Sequence, residues 1–267
     1  MGTHVLCHTG GAPGTTITGL GLTLTWPRDV LLVDADRTPS QSILAGYLRG
    51  TSAHDRGLTR VLQAHRERRP LLDVLPEATL PLPEPPHRQR RATDTAARPV
   101  RRRFLPGFAH LGTVDLFEAA WRDLGHALQD APFDSIVDAG RIGVRGLPAG
   151  LLETATQVLV ACRTSLVSLA AVRLYLGLLT EAVAPDRLGL VLIGPGRPYR
   201  AAEVAEQFGV PVVCEIAWEP FAAAELADGQ PLSPRWRRQP LGRSYAEAAT
   251  RLTAAQDAER LRIGAPS

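Results

Sequence analysis

Gly11-Ala12-Pro13-Gly14-Thr15-Thr16 stands between a short apolar run, His4-Val5-Leu6-Cys7-His8, and a helix-forming run from Ile17 to Leu24. A glycine turn between a strand and a helix is a place where proteins cradle phosphates. Backbone N–H groups and the positive helix end face the anion, and glycine lets the backbone come close. The general pattern is G-x-x-x-x-G-K-[ST]: the Lys brings a fixed charge to the β- and γ-phosphates, and the hydroxyl binds Mg²⁺. Here Thr15 stands where the Lys belongs, and Thr16 keeps the hydroxyl. Pro13 removes one N–H from the loop. Three readings stay open: a turn kept as architecture, a nucleotide site without effective hydrolysis, and a working ATPase.

Outward from the loop, strand-like and helix-like runs alternate. Strands are expected at 3–8, 29–34, 71–75, 103–108, 133–138, 157–162, 188–193 and 211–216. Helices are expected at 15–25, 39–48, 57–66, 113–130, 166–182, 198–208, 219–227 and 243–261. Runs such as Val30-Leu31-Leu32-Val33 and Gln157-Val158-Leu159-Val160-Ala161 are continuously apolar, as in strands covered on both faces. The fold class expected is therefore α/β: a doubly wound, mostly parallel sheet with helices on both faces and ligands at the carboxyl ends of its strands.

The chain has 267 residues, 45% of them apolar, and a net charge of +3. It is long enough for one large domain, with no composition shift dividing it. The charge is too small to imply a partner recognised over the whole surface. All 30 basic side chains other than His are Arg, and Lys and Asn are absent altogether. Cys7, Cys162 and Cys214 each sit in or beside an apolar run with no C-x-x-C pair, which reads as small buried thiols in a reducing compartment. The seven His are scattered without ligand spacing. There is no signal-peptide pattern and no run of about 18 apolar residues, so a cytoplasmic protein without a transmembrane segment is expected.

Residues 76–103 break the rhythm with Pro76, Pro81, Pro83, Pro85, Pro86 and Pro99, and read as an exposed or disordered insertion in a single domain spanning 1–267. From residue 86 to 103, Arg88, Arg90, Arg91, Arg98, Arg101, Arg102 and Arg103 stand against Asp94 alone. Residues 86–103 thus carry a net +6, and the rest of the chain −3. This is either a solvated charged loop or a basic arm for an anionic surface such as DNA. No aromatic residue interrupts the cluster, which argues against base stacking.

Four features come in order. They are the loop at 10–16; Val33-Asp34-Ala35-Asp36 at a strand end; Val137-Asp138-Ala139-Gly140 at another; and the run Val158 to Leu169. In a parallel sheet these strand ends share one edge, so Asp36 and Asp138 can face one bound Mg²⁺–phosphate. Helix-capping carboxylates are the plainer alternative for the acids. This order resembles the ParA/MinD family of deviant-Walker P-loop ATPases (SIMIBI class), in which a K-G-G-x-G-K-T-T loop, a D-x-D strand end and a Walker B Asp follow one another. Gly10 then falls at the signature Lys, Thr15 at the Walker Lys, Asp34 and Asp36 at D-x-D, and Asp138 at Walker B. Gly194-Pro195-Gly196-Arg197 and Ile216-Ala217-Trp218-Glu219-Pro220 look like the late loops that enclose adenine. Ala227-Asp228-Gly229-Gln230-Pro231-Leu232 looks like the segment before the last helix.

The resemblance implies ATP or ADP on Gly10, Gly11, Gly14, Thr15, Thr16, Ile17, Arg197 and Pro220. It implies Mg²⁺ on Thr16, Asp36 and Asp138, and Asp36 as the catalytic carboxylate if the chain is active. The lysines of the family are both missing, so a degenerate site with weak or absent hydrolysis is implied. Losing one charge-assisted contact weakens binding about ten- to a hundredfold. Arg141, Arg145, Arg163 or Arg197 could substitute.

The closest subgroup looks like the CpaE/TadZ type. A spatial organiser or scaffold follows, acting as a homodimer on a secretion-type ATPase or polar complex, peripheral at the membrane or pole through partners. The alternative is an active partitioning ATPase that binds DNA non-specifically through the basic insertion. The last helix carries a mostly Ala stripe (Tyr245, Ala248, Ala249, Leu252). That stripe suits packing on the domain better than membrane insertion.

Overall fold

The computed structural model describes residues 1–10, 14–38, 41–51, 53, 55–83, 98–144 and 146–264. Gly11, Ala12 and Pro13, the centre of the loop, lie outside them, as do Arg145 and the part of the insertion carrying Arg88, Arg90 and Arg91.

Eight strands form one sheet: β1 (Thr3–His8), β2 (Val30–Asp34), β3 (Leu80–Pro81), β4 (Arg102–Leu105), β5 (Asp134–Arg141), β6 (Gln157–Arg163), β7 (Leu188–Ile193) and β8 (Val212–Ile216). The order across the sheet is β3-β4-β2-β5-β1-β6-β7-β8. Every pairing is parallel except the short β3 against β4. The helices are α1 (Thr15–Thr25), α2 (Leu58–Arg66), α3 (Leu71–Ala78), α4 (Trp121–Gln129), α5 (Ala149–Thr154), α6 (Leu166–Ala182), α7 (Ala201–Phe208), α8 (Pro220–Ala227) and α9 (Pro240–Gly264). The α/β fold class expected from the sequence is the one observed.

Helices cover both faces, which is why the strands read as unbroken apolar runs. Val5 and Cys7 of β1 point into the core under α2 to α7. Leu6 between them points into the core under α1, α8 and α9. Helix α1 is buried nearly all round because it is held between the sheet and α9. Gly21 makes that possible, since a Cβ there would overlap the Tyr245 ring. Tyr245, Ala248, Ala249 and Leu252 of α9 are buried in this layer, as expected of a helix packed on the domain.

Three expectations need correction. Residues 71–75 are not a strand but the start of α3. Leu71, Val74, Leu75 and Ala78 are its buried stripe, at i, i+3, i+4 and i+7, so the helical period outranks the apolar run. The expected helix at 113–130 is α only from Trp121. The preceding 3₁₀ turn, Asp115–Ala120, brings Phe117 against Trp121 with ring centroids 4.5 Å apart.

The third correction concerns the insertion, whose ends belong to the sheet. Leu80 pairs with Phe104 across β3 and β4. Arg102 is buried, with Nε donating to Thr23 O (3.0 Å) and Nη2 to Trp26 O (3.0 Å), so it closes the C-terminus of α1. Arg103 donates to Thr79 Oγ1 and to Pro76 O. Arg98 and Arg101 are exposed but both pair with Asp29. Arg102 and Arg103 are therefore not members of a free basic arm. Buried carbonyls at the end of α1 recruit Arg102, and the Thr79 hydroxyl and Pro76 carbonyl hold Arg103.

Candidate functional site

The carboxyl ends of β1, β2 and β5 lie side by side at the centre of the sheet, at the edge where α1 begins. Gly14 precedes α1 in the left-handed conformation (φ 78°), and its carbonyl accepts the first helical bond from Thr18 N–H at 2.9 Å. Thr15 is the first residue of α1 and is buried. Its hydroxyl lies 3.0 Å from His8 Nδ1 at the end of β1. The side chain in the lysine's place is thus spent on a neighbouring imidazole. The Thr16 hydroxyl lies toward the Asp138 carboxylate and favours its ionised form.

Asp34 ends β2 and is level with Asp138 in β5. Asp36 follows in a loop, its N–H donating to Asp34 Oδ1 (3.3 Å) and its own Oδ1 accepting from Thr38 N–H (2.7 Å). Asp138 Oδ1 accepts the Gly140 N–H at 3.0 Å. Burial raises all three acids. It pushes Asp138 up to about 6, with the Asp36 charge adding to the rise while the Thr16 hydroxyl and Gly140 N–H hold it back. Burial, then the Asp138 charge, pushes Asp34 up to about 7. Burial also raises Asp36, against the Thr38 N–H and the Arg37 charge. Gly140 has φ 64°, and a Cβ there would overlap the Asp36 carboxylate, so glycine is what lets β5 turn beneath Asp36.

These residues suit a hard divalent cation. A hydroxyl oxygen and buried carboxylates that repel one another form an oxygen donor set whose charge a cation would offset. Thr16 and Asp138 would hold it, with Asp36 and Asp34 beside them. Among the described residues, no three His, Cys, Asp or Glu side chains are grouped tightly enough to bind a metal unaided.

The late loops are tied together. Thr164, buried after β6, donates through Oγ1 to Gly194 O (2.7 Å) and Arg197 O (2.9 Å). The Arg163 guanidinium lies 4.6 Å from the centroid of the Trp218 ring. Pro220 opens α8. Arg197 and Pro220 thus follow β7 and β8, on the same edge as the loop but two or more strands from β1. Gly10 and Ile17 flank the loop itself. Reading from the sequence passed over His8 because no His spacing pointed to it. Its place at the end of the strand that feeds the loop was the available signal.

No family model matches the chain, and no curated protein does. Solved structures do. A ParA family ATPase from Chlorobium tepidum superposes with a TM-score of 0.71 at 16% identity, over 93% of this chain and 98% of that one. A chain of the MinC:MinD cell division protein complex of Aquifex aeolicus gives 0.67 at 16% identity, over 95% and 96%. An ATP complex of a McdA variant from Cyanothece gives 0.63 at 14% identity, over 95% and 96%. Among the described residues no helix is long and apolar enough to cross a membrane. The chain therefore has the fold of the ParA/MinD P-loop NTPases, with those proteins as its structural neighbours.

Proposed function

We propose that this chain is a nucleotide-responsive spatial organiser of the ParA/MinD kind in which ATP hydrolysis is weak or absent. The observation that carries this is the split between Thr15 and Thr16. Thr16 stays on the Asp138 carboxylate, so the cation half of the site is kept. Thr15 is turned onto His8, so the cationic side chain that a P-loop aims at the phosphates is missing. Bound Mg²⁺ would neutralise phosphate charge at the carboxylates. The chain's own residues would bind and orient: α1 and Gly14 toward the phosphates, Thr16 and Asp138 toward the cation, Asp36 toward an attacking water. Without the loop's own lysine aimed at the γ-phosphate, turnover loses the electrostatic stabilisation that this residue supplies in the transition state. Among the structural neighbours, a McdA variant is seen with ATP and MinD is seen in complex with MinC, which supports a reading in which this chain binds a nucleotide and a protein partner. Within it we place the chain as a homodimeric scaffold of the CpaE/TadZ type, working on a secretion-type ATPase or polar complex.

The test is calorimetric titration of Mg–ATP and Mg–ADP into the purified protein and into Thr16→Ala. Micromolar binding lost in Thr16→Ala, with turnover well below roughly one per minute, is the expected result. Absence of binding up to millimolar nucleotide would leave the loop as architecture and sink the reading.

A further inference from the structure

With no Lys in the chain, a permanently positive side chain at the loop has to be an arginine. Most arginines near this edge are committed. Arg163 lies over Trp218. Arg37 donates to the Gly146 carbonyl across the loop that follows β5. Arg197 follows β7, two strands away from β1.

Arg141 differs. It is the last residue of β5, level with His8 of β1, and the Ile142 N–H to His8 O bond (2.8 Å) fixes that register. Its guanidinium reaches over the entry to the glycine loop: a Cβ on Gly10 would sit 3.9 Å from Arg141 Nη2. Its charge acts on His8, lowering that imidazole's pKa after the larger effect of burial. Arg141 is exposed and makes no ion pair with a described residue, although Asp34, Asp36 and Asp138 occupy the same edge. A guanidinium held beside a phosphate loop and not taken by a carboxylate is free to fork onto phosphate oxygens. Asp138 stands three residues earlier on the same strand, so one segment carries both the cation-binding carboxylate and the positive charge.

We propose that Arg141 makes the cationic contact to the polyphosphate of the bound nucleotide that Thr15 cannot make. This rests on the nucleotide-site reading above and assigns it a residue.

Mg–ATP and inorganic triphosphate are titrated into wild type, Arg141→Ala and Arg141→Lys, with unliganded melting curves as the folding control; an exposed side chain should leave these unchanged. Arg141→Ala should weaken both ligands about ten- to a hundredfold, and Arg141→Lys should recover part of the loss. In the NMR titration of unliganded protein, the His8 imidazole pKa should rise in Arg141→Ala. Wild type that binds while Arg141→Ala binds equally well overturns the inference and leaves the site standing. Wild type that binds neither ligand overturns both. A loss for ATP but not for triphosphate would place Arg141 on the nucleoside and overturn the phosphate contact. An unmoved His8 would overturn the placement of the guanidinium.

Discussion

Asp34 and Asp138 stand level on adjacent strands, and the Asp138 charge adds to the burial that raises Asp34. In the folded chain Asp34 keeps its proton up to about pH 7, against the ordinary 3.8. The folded state therefore holds an extra proton between those values, and stability falls as pH rises through the window. Asp34→Asn removes that loss. At pH 8 the variant should be more stable than wild type by about 1–3 kcal/mol in urea denaturation, the gap closing toward pH 4. An equal stability at pH 8 would mean the carboxylate is better solvated than its position implies. His4 runs the other way. Burial holds its pKa down to about 4, so stability is full above 6.5 and is lost as pH falls toward 4. Its NMR titration should show a neutral ring at pH 5. Gly140→Ala forces a side chain into a left-handed position and against Asp36. We expect a loss of about 2–4 kcal/mol together with weaker Mg–ATP binding.

At the scale of elements, the arginines of the insertion separate by what they touch. Arg102 is buried on the last carbonyls of α1, and removing its guanidinium strands them without a donor. Arg102→Met should cost about 2–4 kcal/mol by chemical denaturation. Arg101→Ala loses an exposed pair with Asp29 and should change stability by less than about 1 kcal/mol. Equal effects would mean that charge count, not burial, sets their roles. Helix α3 carries the companion lesson: its apolar-rich first residues read as a strand until the stripe is followed to Ala78.

For the whole molecule, the site's protonation links ligand binding to pH. A cation held at Thr16 and Asp138 favours ionised carboxylates, so Mg–ATP binding at pH 6 should release protons. The apparent calorimetric enthalpy should then change with the ionisation enthalpy of the buffer at pH 6 and not at pH 8. Enthalpies that match across buffers at pH 6 would detach the acids from the ligand. The sheet order explains why these groups act together: β2, β5 and β1 are neighbours, although Asp34 and Asp138 stand far apart in the chain.

The alternation of apolar runs was enough to specify a parallel sheet covered on both faces, because strand burial writes itself directly into composition. Gly14 before α1, Thr16 in its first turn, Asp34 at the end of β2, Asp36 just after it and Asp138 within β5 stand where the sequence order suggests, because each sits at a fixed offset from an apolar run. What the chain alone left undecided was which side chains meet. Thr15 on His8, Arg102 beneath α1 and Arg141 over Gly10 all join segments far apart in sequence or split by a turn. Their pairing is set by strand order and register, which no local pattern encodes. Arg98, Arg101, Arg102 and Arg103 look alike as letters; only packing against backbone carbonyls or pairing with Asp29 makes them different.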